Sequence, residues 1–283
     1  MVRKRPKLET ESDWSLLRRN WLLAGAFLLQ CVACFSVSMF VELYDDGAGA
    51  LTPLLVCLGF IGAQFVMLGF VFSMLPASLM IRLSILMGGA ILSICLVICG
   101  AVVFQCQELQ EVSFVAGWVP MLLVGASVPF LAARAFFGWS LKLGDDLESD
   151  SRITVSALMT GTGLFAFSLT MLMTGQKSQV SLALATAVIV AGAGMMLFVP
   201  LTVLLFKCQR GSRKFLTLLG VTLLPLGVSA VLATVLKQHS ELILAFSVVS
   251  SSLLLAYGVF VVGVKNLELF LGVGEPSLSQ RQA

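Results

Sequence analysis

"LTPLLVCLGFIGAQFVMLGFVFSML", Leu51 to Leu75, runs for 25 residues without a charged side chain. As a helix rising about 1.5 Å per residue it is long enough to cross a hydrocarbon layer about 30 Å thick. A barrel strand would need only about 9–11 residues and would alternate polar with apolar positions, which this run does not do. The stretch therefore reads as a transmembrane helix, and its one large polar side chain, Gln64, lies near the middle.

Working outward, the same kind of run recurs. The expected spans are Trp21 to Val41, Leu51 to Leu75, Leu83 to Phe104, Gly117 to Ala133, Ile153 to Thr174, Val180 to Phe206, Phe215 to Leu236 and Leu242 to Val264. Of the 283 residues 58% are apolar and only 12% are charged, too few polar side chains to clothe a water-facing surface. The expected fold class is an all-α polytopic membrane protein, a bundle of eight transmembrane helices. Residues 1–19 form a basic N-terminal segment, 20–265 the membrane domain and 266–283 a tail.

Charge sets the expected orientation, because connections on the cytoplasmic side retain Lys and Arg. With the N-terminus inside, sixteen of the eighteen basic residues fall on the inner side, and only Lys177 and Lys237 fall outside. An even number of spans then puts both termini in the cytoplasm, and the expected location is the cytoplasmic membrane. Trp21, Trp118 and Trp139 fall at or just beyond span ends, where amphipathic rings settle. The first span follows basic residues and ends in Ser36 and Ser38 at small-x-small spacing, as a cleaved signal would. Its long leader carries Glu9, Glu11 and Asp13, however, so a retained span is the expectation. Arg18 and Arg19 resemble a twin-arginine signal but read as an ordinary inner anchor.

Short outer connections ("ELYDDGAGA", "QCQELQEVSF", "GQKSQ", "KQHSE") lead us to expect four antiparallel hairpins. Pro76, Pro129 and Pro200 recur five to seven residues before Arg82, Arg134 and Lys207 near the inner ends of the second, fourth and sixth spans. That pattern fits either duplicated hairpins of a transporter type or prolines merely tolerated at helix ends.

No Asp, Glu, Lys, Arg or His lies in the middle of any expected span, which argues against ion-coupled chemistry through buried carboxylates. His239, the only histidine, is in an outer connection, so bis-histidine haem, histidine-zinc and Ser-His-Asp arrangements lack their parts. Cys31 and Cys34 have Cys-x-x-Cys spacing, yet an apolar span with no basic neighbour keeps thiols inert. Close packing is the expectation for the small residues of "SALMTGTGLFA" and "AGAGMM". No phosphate-binding glycine loop occurs. Neither cofactor nor nucleic-acid partner is expected.

Three features remain as possible sites. Gln30 and Gln64 both reach about the midplane on adjacent antiparallel helices, where they can hydrogen-bond to each other as an interhelical clamp or bind a polar uncharged ligand. Pro225, near the centre of the seventh span, frees the carbonyl of Val221, a break that either lines a cavity or is relieved by Thr222 or a neighbouring helix. Asp145, Asp146, Glu148 and Asp150 form an inner acidic loop. It fails as an EF-hand, because Ser151 and Ala157 stand where Gly and Glu are needed. As half of a magnesium-diphosphate site it lacks a second acidic loop on the same side. The preceding "FFGWSLKL" suits a short element in the inner headgroups. Arg3, Lys4, Arg5 and Lys7 suit anionic lipid or the acidic loop.

The expected function is accordingly that of a non-catalytic subunit or assembly partner of another membrane protein. Alternatives are a transporter or flippase of an uncharged or lipid-like solute, and a lipid-modifying enzyme that uses the acidic loop.

Overall fold

The computed structural model describes residues 13–45, 51–75, 77–104, 109–137, 139–143, 188, 190–192, 194–207, 211–235, 240–266 and 269–273. Its named elements are α1 (Asp13–Asp45), α2 (Leu51–Met74), α3 (Leu79–Val103), α4 (Leu109–Phe137), β1 (Trp139–Leu143), a π-helical turn (Gly194–Phe198), α5 (Val199–Lys207), α6 (Gly211–Val235), α7 (Ser240–Asn266) and β2 (Leu269–Val273). Four helical stretches are long and apolar enough to cross a membrane: Trp21–Tyr44, Leu51–Met74, Leu79–Val103 and Ile243–Lys265. Leu122–Phe136 and Leu216–Val228 are shorter apolar stretches. These helices support a helical membrane protein. The expected fifth span lies outside the described residues.

Five helices start before their expected spans, two of them by the widest margin. α1 begins at Asp13 rather than Trp21, and α4 at Leu109 rather than Gly117. Hydropathy reports only the part of a helix that lipid can cover, whereas backbone hydrogen bonding continues into polar sequence. At α3 the boundary has a local cause. Ser78 is the N-cap, with an extended backbone, and its hydroxyl accepts from the amide of Ile81, satisfying one of the orphan donors of the first turn.

Helix α2 lies at the centre, in contact with α1, α3, α4 and α7. Its contacts with α7 advance together along both chains: Gly59 meets Val249 and Ser252, Gly62 meets Leu253, and Phe70 meets Tyr257 and Phe260. The two helices therefore run parallel. Against α4 the order is again parallel, from Gly69 beside Ala126 to Ser73 beside Arg134. α5 likewise follows α7, with Thr202 at Tyr257 and Leu205 at Lys265. Thus α2, α4, α5 and α7 form a parallel inner group, while α1, α3 and α6 pack around it.

Backbones approach closely where α2 offers glycine. A Cβ on Gly69 would lie 2.8 Å from the carbonyl carbon of Ala126 and 3.0 Å from the amide nitrogen of Ser127. Without hydrophobic drive between helices in lipid, such close packing is a main source of association.

One expected pairing differs. α3 lies mainly along α1 and touches α4 only lightly, although a short connection joins α3 to α4. Gly100 of α3 sits directly against the carbonyl of Phe35, and the Phe35 and Phe104 rings meet edge to face at 5.6 Å. Those contacts hold α3 against α1. A connection limits how far apart two helix ends lie, and does not decide which faces meet.

The fold is also not purely helical. β1 pairs antiparallel with β2, Leu141 opposite Leu271 at the centre of the register. Leu141 is buried in the main core, so the sheet is anchored to the bundle. A strand in the tail, "LFLGV", thereby meets the segment expected to lie in the headgroups. Each five-residue strand has its hydrogen-bonding partner more than a hundred residues away, a pairing no local signal announces.

Candidate functional site

Gln30 and Gln64 are 3% and 4% exposed, on the seam between α1 and α2. Each finds a partner across that seam. Gln30 Nε2 donates to Met67 Sδ at 2.8 Å, and Gln64 Oε1 accepts from Cys34 Sγ at 3.2 Å. The two amides do not hydrogen-bond to each other. Cys34 follows Gln30 by one helical turn and Met67 follows Gln64 by almost one, so the four side chains make two adjacent cross-links on one stripe of each helix. Sulfur atoms took the place expected for an amide, because Met and Cys are the polarizable neighbours that the antiparallel register supplies. Replacing Gln30 and Gln64 together by Leu is expected to lower stability by about 1 kcal/mol. The midpoint of unfolding in mixed micelles measures this, and an unchanged midpoint would remove the clamp from the account.

At the other end of α2 two arginines converge. Arg82 Nη1 donates to the carbonyl of Phe72 at 3.2 Å, and Arg134 Nη1 donates to the carbonyl of Ser73 at 2.7 Å. Carbonyls in the last turn of a helix lack intrahelical partners and carry the negative end of its dipole. Both arginines are 8% exposed. Lys265 does the same for α5, donating from Nζ to the carbonyls of Leu205 and Phe206 at 3.2 and 2.6 Å. Three of the basic residues expected at inner span ends therefore cap helix C-termini. That role was legible for Arg134 and Lys265, which lie in the last turns of α4 and α7, where cations are favoured; Arg82 lies in the first turn of α3 and reaches the end of α2 from there.

Between these ends the inner group encloses an aromatic cluster. Tyr257 is fully buried, and the rings of Phe70, Phe130, Phe198 and Phe260 lie 5.2 to 6.4 Å from it. Thr202 Oγ1 donates to the carbonyl of Phe198 at 2.6 Å. Its single proton is then used, so the Tyr257 hydroxyl donates to Thr202 Oγ1 across 2.7 Å. Tyr257 is thus satisfied without water. The sequence reading missed this pair, although Tyr257 is one of only two tyrosines in the chain and stands alone in an apolar span. A buried tyrosine hydroxyl needs a partner, and this was the available signal.

Two of the recurrent prolines lie at the π turn that carries Phe198. Pro129 is buried in α4 and packs tightly against Gly194 of the π turn. Pro200 lies just beyond that turn, in the first turn of α5. It has no amide proton to offer the carbonyl of Met196, and a wider turn is the local form that such a break takes. Pro76 lies outside the described residues.

Pro225 lies inside α6, which continues through it. The Thr222 hydroxyl turns to the carbonyls of Leu218 and Leu219, at 2.9 and 3.0 Å, and not to Val221. Leu224 and Leu226 on either side of Pro225 are exposed. The acidic loop of Asp145, Asp146, Glu148 and Asp150, and the basic segment of Arg3, Lys4, Arg5 and Lys7, lie outside the described residues. Among the described residues no group of three or more His, Cys, Asp or Glu is placed to hold a metal ion. No family model, curated protein or solved structure matches the chain.

Proposed function

We propose that the chain is an eight-span protein of the cytoplasmic membrane with both termini inside, acting as a non-catalytic subunit or assembly partner of another membrane protein. The observation that carries this reading is the filling of the described inner group. Phe70, Phe130 and Tyr257 occupy the space among α2, α4, α5 and α7, and the Tyr257 hydroxyl is consumed by Thr202. A packed aromatic centre suits a protein that presents a surface to a partner. The charge pattern supports the orientation: Arg82, Arg134 and Lys265 all belong to the same end of the parallel group.

Extraction in native lipid followed by mass spectrometry tests the reading. A second protein in fixed stoichiometry is expected. Recovery of the chain without a protein, but with one specific solute, would replace this reading with a transporter. The orientation is tested separately with a membrane-impermeant thiol reagent, after Cys106 and Cys208 are replaced by Ser. A cysteine introduced at Lys237 is expected to react from outside and one at Lys265 only after permeabilisation.

The transporter or flippase reading has one observation in its favour, the π turn beside Pro200 and Gly194. Such turns often mark places where a helix bends in use. Under that reading Gly194→Leu would abolish solute uptake, whereas a partner subunit would show no uptake to lose.

A further inference from the structure

We propose that Arg82 and Arg134 form a binding site for the phosphate of an anionic lipid headgroup at the basic end of the bundle. Two guanidinium groups sit on adjacent carbonyls of one helix end. One of them, Arg82, has no carboxylate within ion-pair distance among the described residues, and its buried Nε has no hydrogen-bond partner there. Its remaining contacts are the Phe72 carbonyl and the Phe72 ring, whose centroid is 6.0 Å from the guanidinium carbon. The helix end supplies only partial negative charge, equivalent to about half an electron. The full positive charge of Arg82 therefore exceeds what its described neighbours neutralise. Planar guanidinium groups match phosphate oxygens better than any other cationic side chain does.

Position favours a lipid over a soluble phosphate. α2 has 24 residues and is about 36 Å long, so its end reaches past hydrocarbon about 30 Å thick into the headgroup layer. Flanking the arginines are exposed apolar side chains: Met80 and Ile81 precede Arg82, and Phe136 follows Arg134, with 74%, 54% and 81% of their surfaces open. An acyl chain lying along Met80 and Ile81 would place its phosphate beside Arg82. A soluble anion makes no use of such a flank. The proposal uses the inner-facing orientation only to assign the leaflet, and bilayers with the same lipid in both leaflets make its test independent of that orientation.

The full chain is placed in nanodiscs of phosphatidylcholine with increasing phosphatidylglycerol, and retained lipid and thermal unfolding are measured. The expected result is preferential retention of phosphatidylglycerol and a higher unfolding temperature. For Arg82→Gln, which keeps a donor for the Phe72 carbonyl, apparent affinity is expected to fall about tenfold or more. Arg82→Lys, which keeps the charge and loses the fork, is expected to fall between the two. If Arg82→Gln fails to fold, Arg82→Lys decides: retention of phosphatidylglycerol equal to wild type overturns the proposal, because the basic segment of Arg3, Lys4, Arg5 and Lys7 is the same in both chains. Equal retention of the two lipids overturns the proposal, as does a folded Arg82→Gln that binds phosphatidylglycerol like wild type. Stabilisation by inorganic phosphate in pure phosphatidylcholine, with no added effect of phosphatidylglycerol, overturns the lipid source while leaving phosphate as the ligand.

Discussion

Phe70→Ala is expected to destabilise the folded bundle by about 3–5 kcal/mol, the range for removing a buried aromatic ring from a core that cannot collapse around the gap. Phe70 is fully buried, and its ring meets Phe130, Tyr257 and Phe260 edge to face at 5.3, 6.3 and 6.0 Å. Removing it takes a partner from α4 and two from α7 at once. Because lipid is as apolar as the ring, most of the loss is lost packing rather than exposure to water. Leu28→Ala serves as the control, since Leu28 is 65% exposed on α1 and should change stability by less than about 0.5 kcal/mol. Equilibrium unfolding of both variants by detergent titration gives the comparison, and equal losses would mean that the cluster is not a core. Tyr257→Phe belongs to the same series. It leaves Thr202 able to donate to Phe198 and removes only the second hydrogen bond, so a loss of about 1 kcal/mol is expected.

Gly69→Ala should have the next largest effect, about 1–3 kcal/mol, from one added methyl group. All three atoms nearest the new Cβ are backbone atoms of Ala126 and Ser127, the farthest at 3.0 Å. Backbone in a helix cannot step aside as a side-chain tip can, so α2 and α4 must separate. Separation would in turn lengthen the bond from Ser73 to the carbonyl of Ser127 and the bond from Arg134 to the carbonyl of Ser73. Gly88→Ala is the matched control, because nothing lies within 4 Å of a Cβ there. An alanine favours a helix over glycine by about 1 kcal/mol, so this control should be neutral or stabilising in the same unfolding assay. Destabilisation of similar size at both positions would contradict close α2–α4 packing.

Much of the helical content was readable from the chain because lipid imposes a rule that needs no tertiary knowledge. Every backbone polar group in hydrocarbon must be satisfied within its own segment, and long apolar runs therefore become helices. Leu51–Met74 emerged within one residue of its expected end. The Gln30 and Gln64 seam was also legible, because two antiparallel helices joined by a short connection share a level in the membrane. Their partners were not. Sequence places residues at a depth but leaves the helix rotation open, and the rotation brought Met67 and Cys34 to the amides.

Pairing among helices was the least legible feature. In a soluble helix an apolar stripe marks the buried face; α2 and α3 are apolar all round, and no such stripe distinguishes protein from lipid. Gly59, Gly62 and Gly69 were visible in the opening stretch, yet small residues also occur in α6, where Gly220 and Gly227 meet nothing within 4 Å. Which glycines matter depends on which backbone arrives opposite them.

By itself, then, the amino-acid sequence determined the solvent, the helical class and the end at which the positive charges gather, since each follows from transfer free energies that act residue by residue. Only the tertiary structure decided that α2 is central, that α3 leans on α1, that the tail strand closes onto β1, and that Arg82 and Arg134 meet at one helix end. These depend on close packing and on backbone groups left unpaired at helix termini and strand edges, and both are settled between segments far apart in the chain.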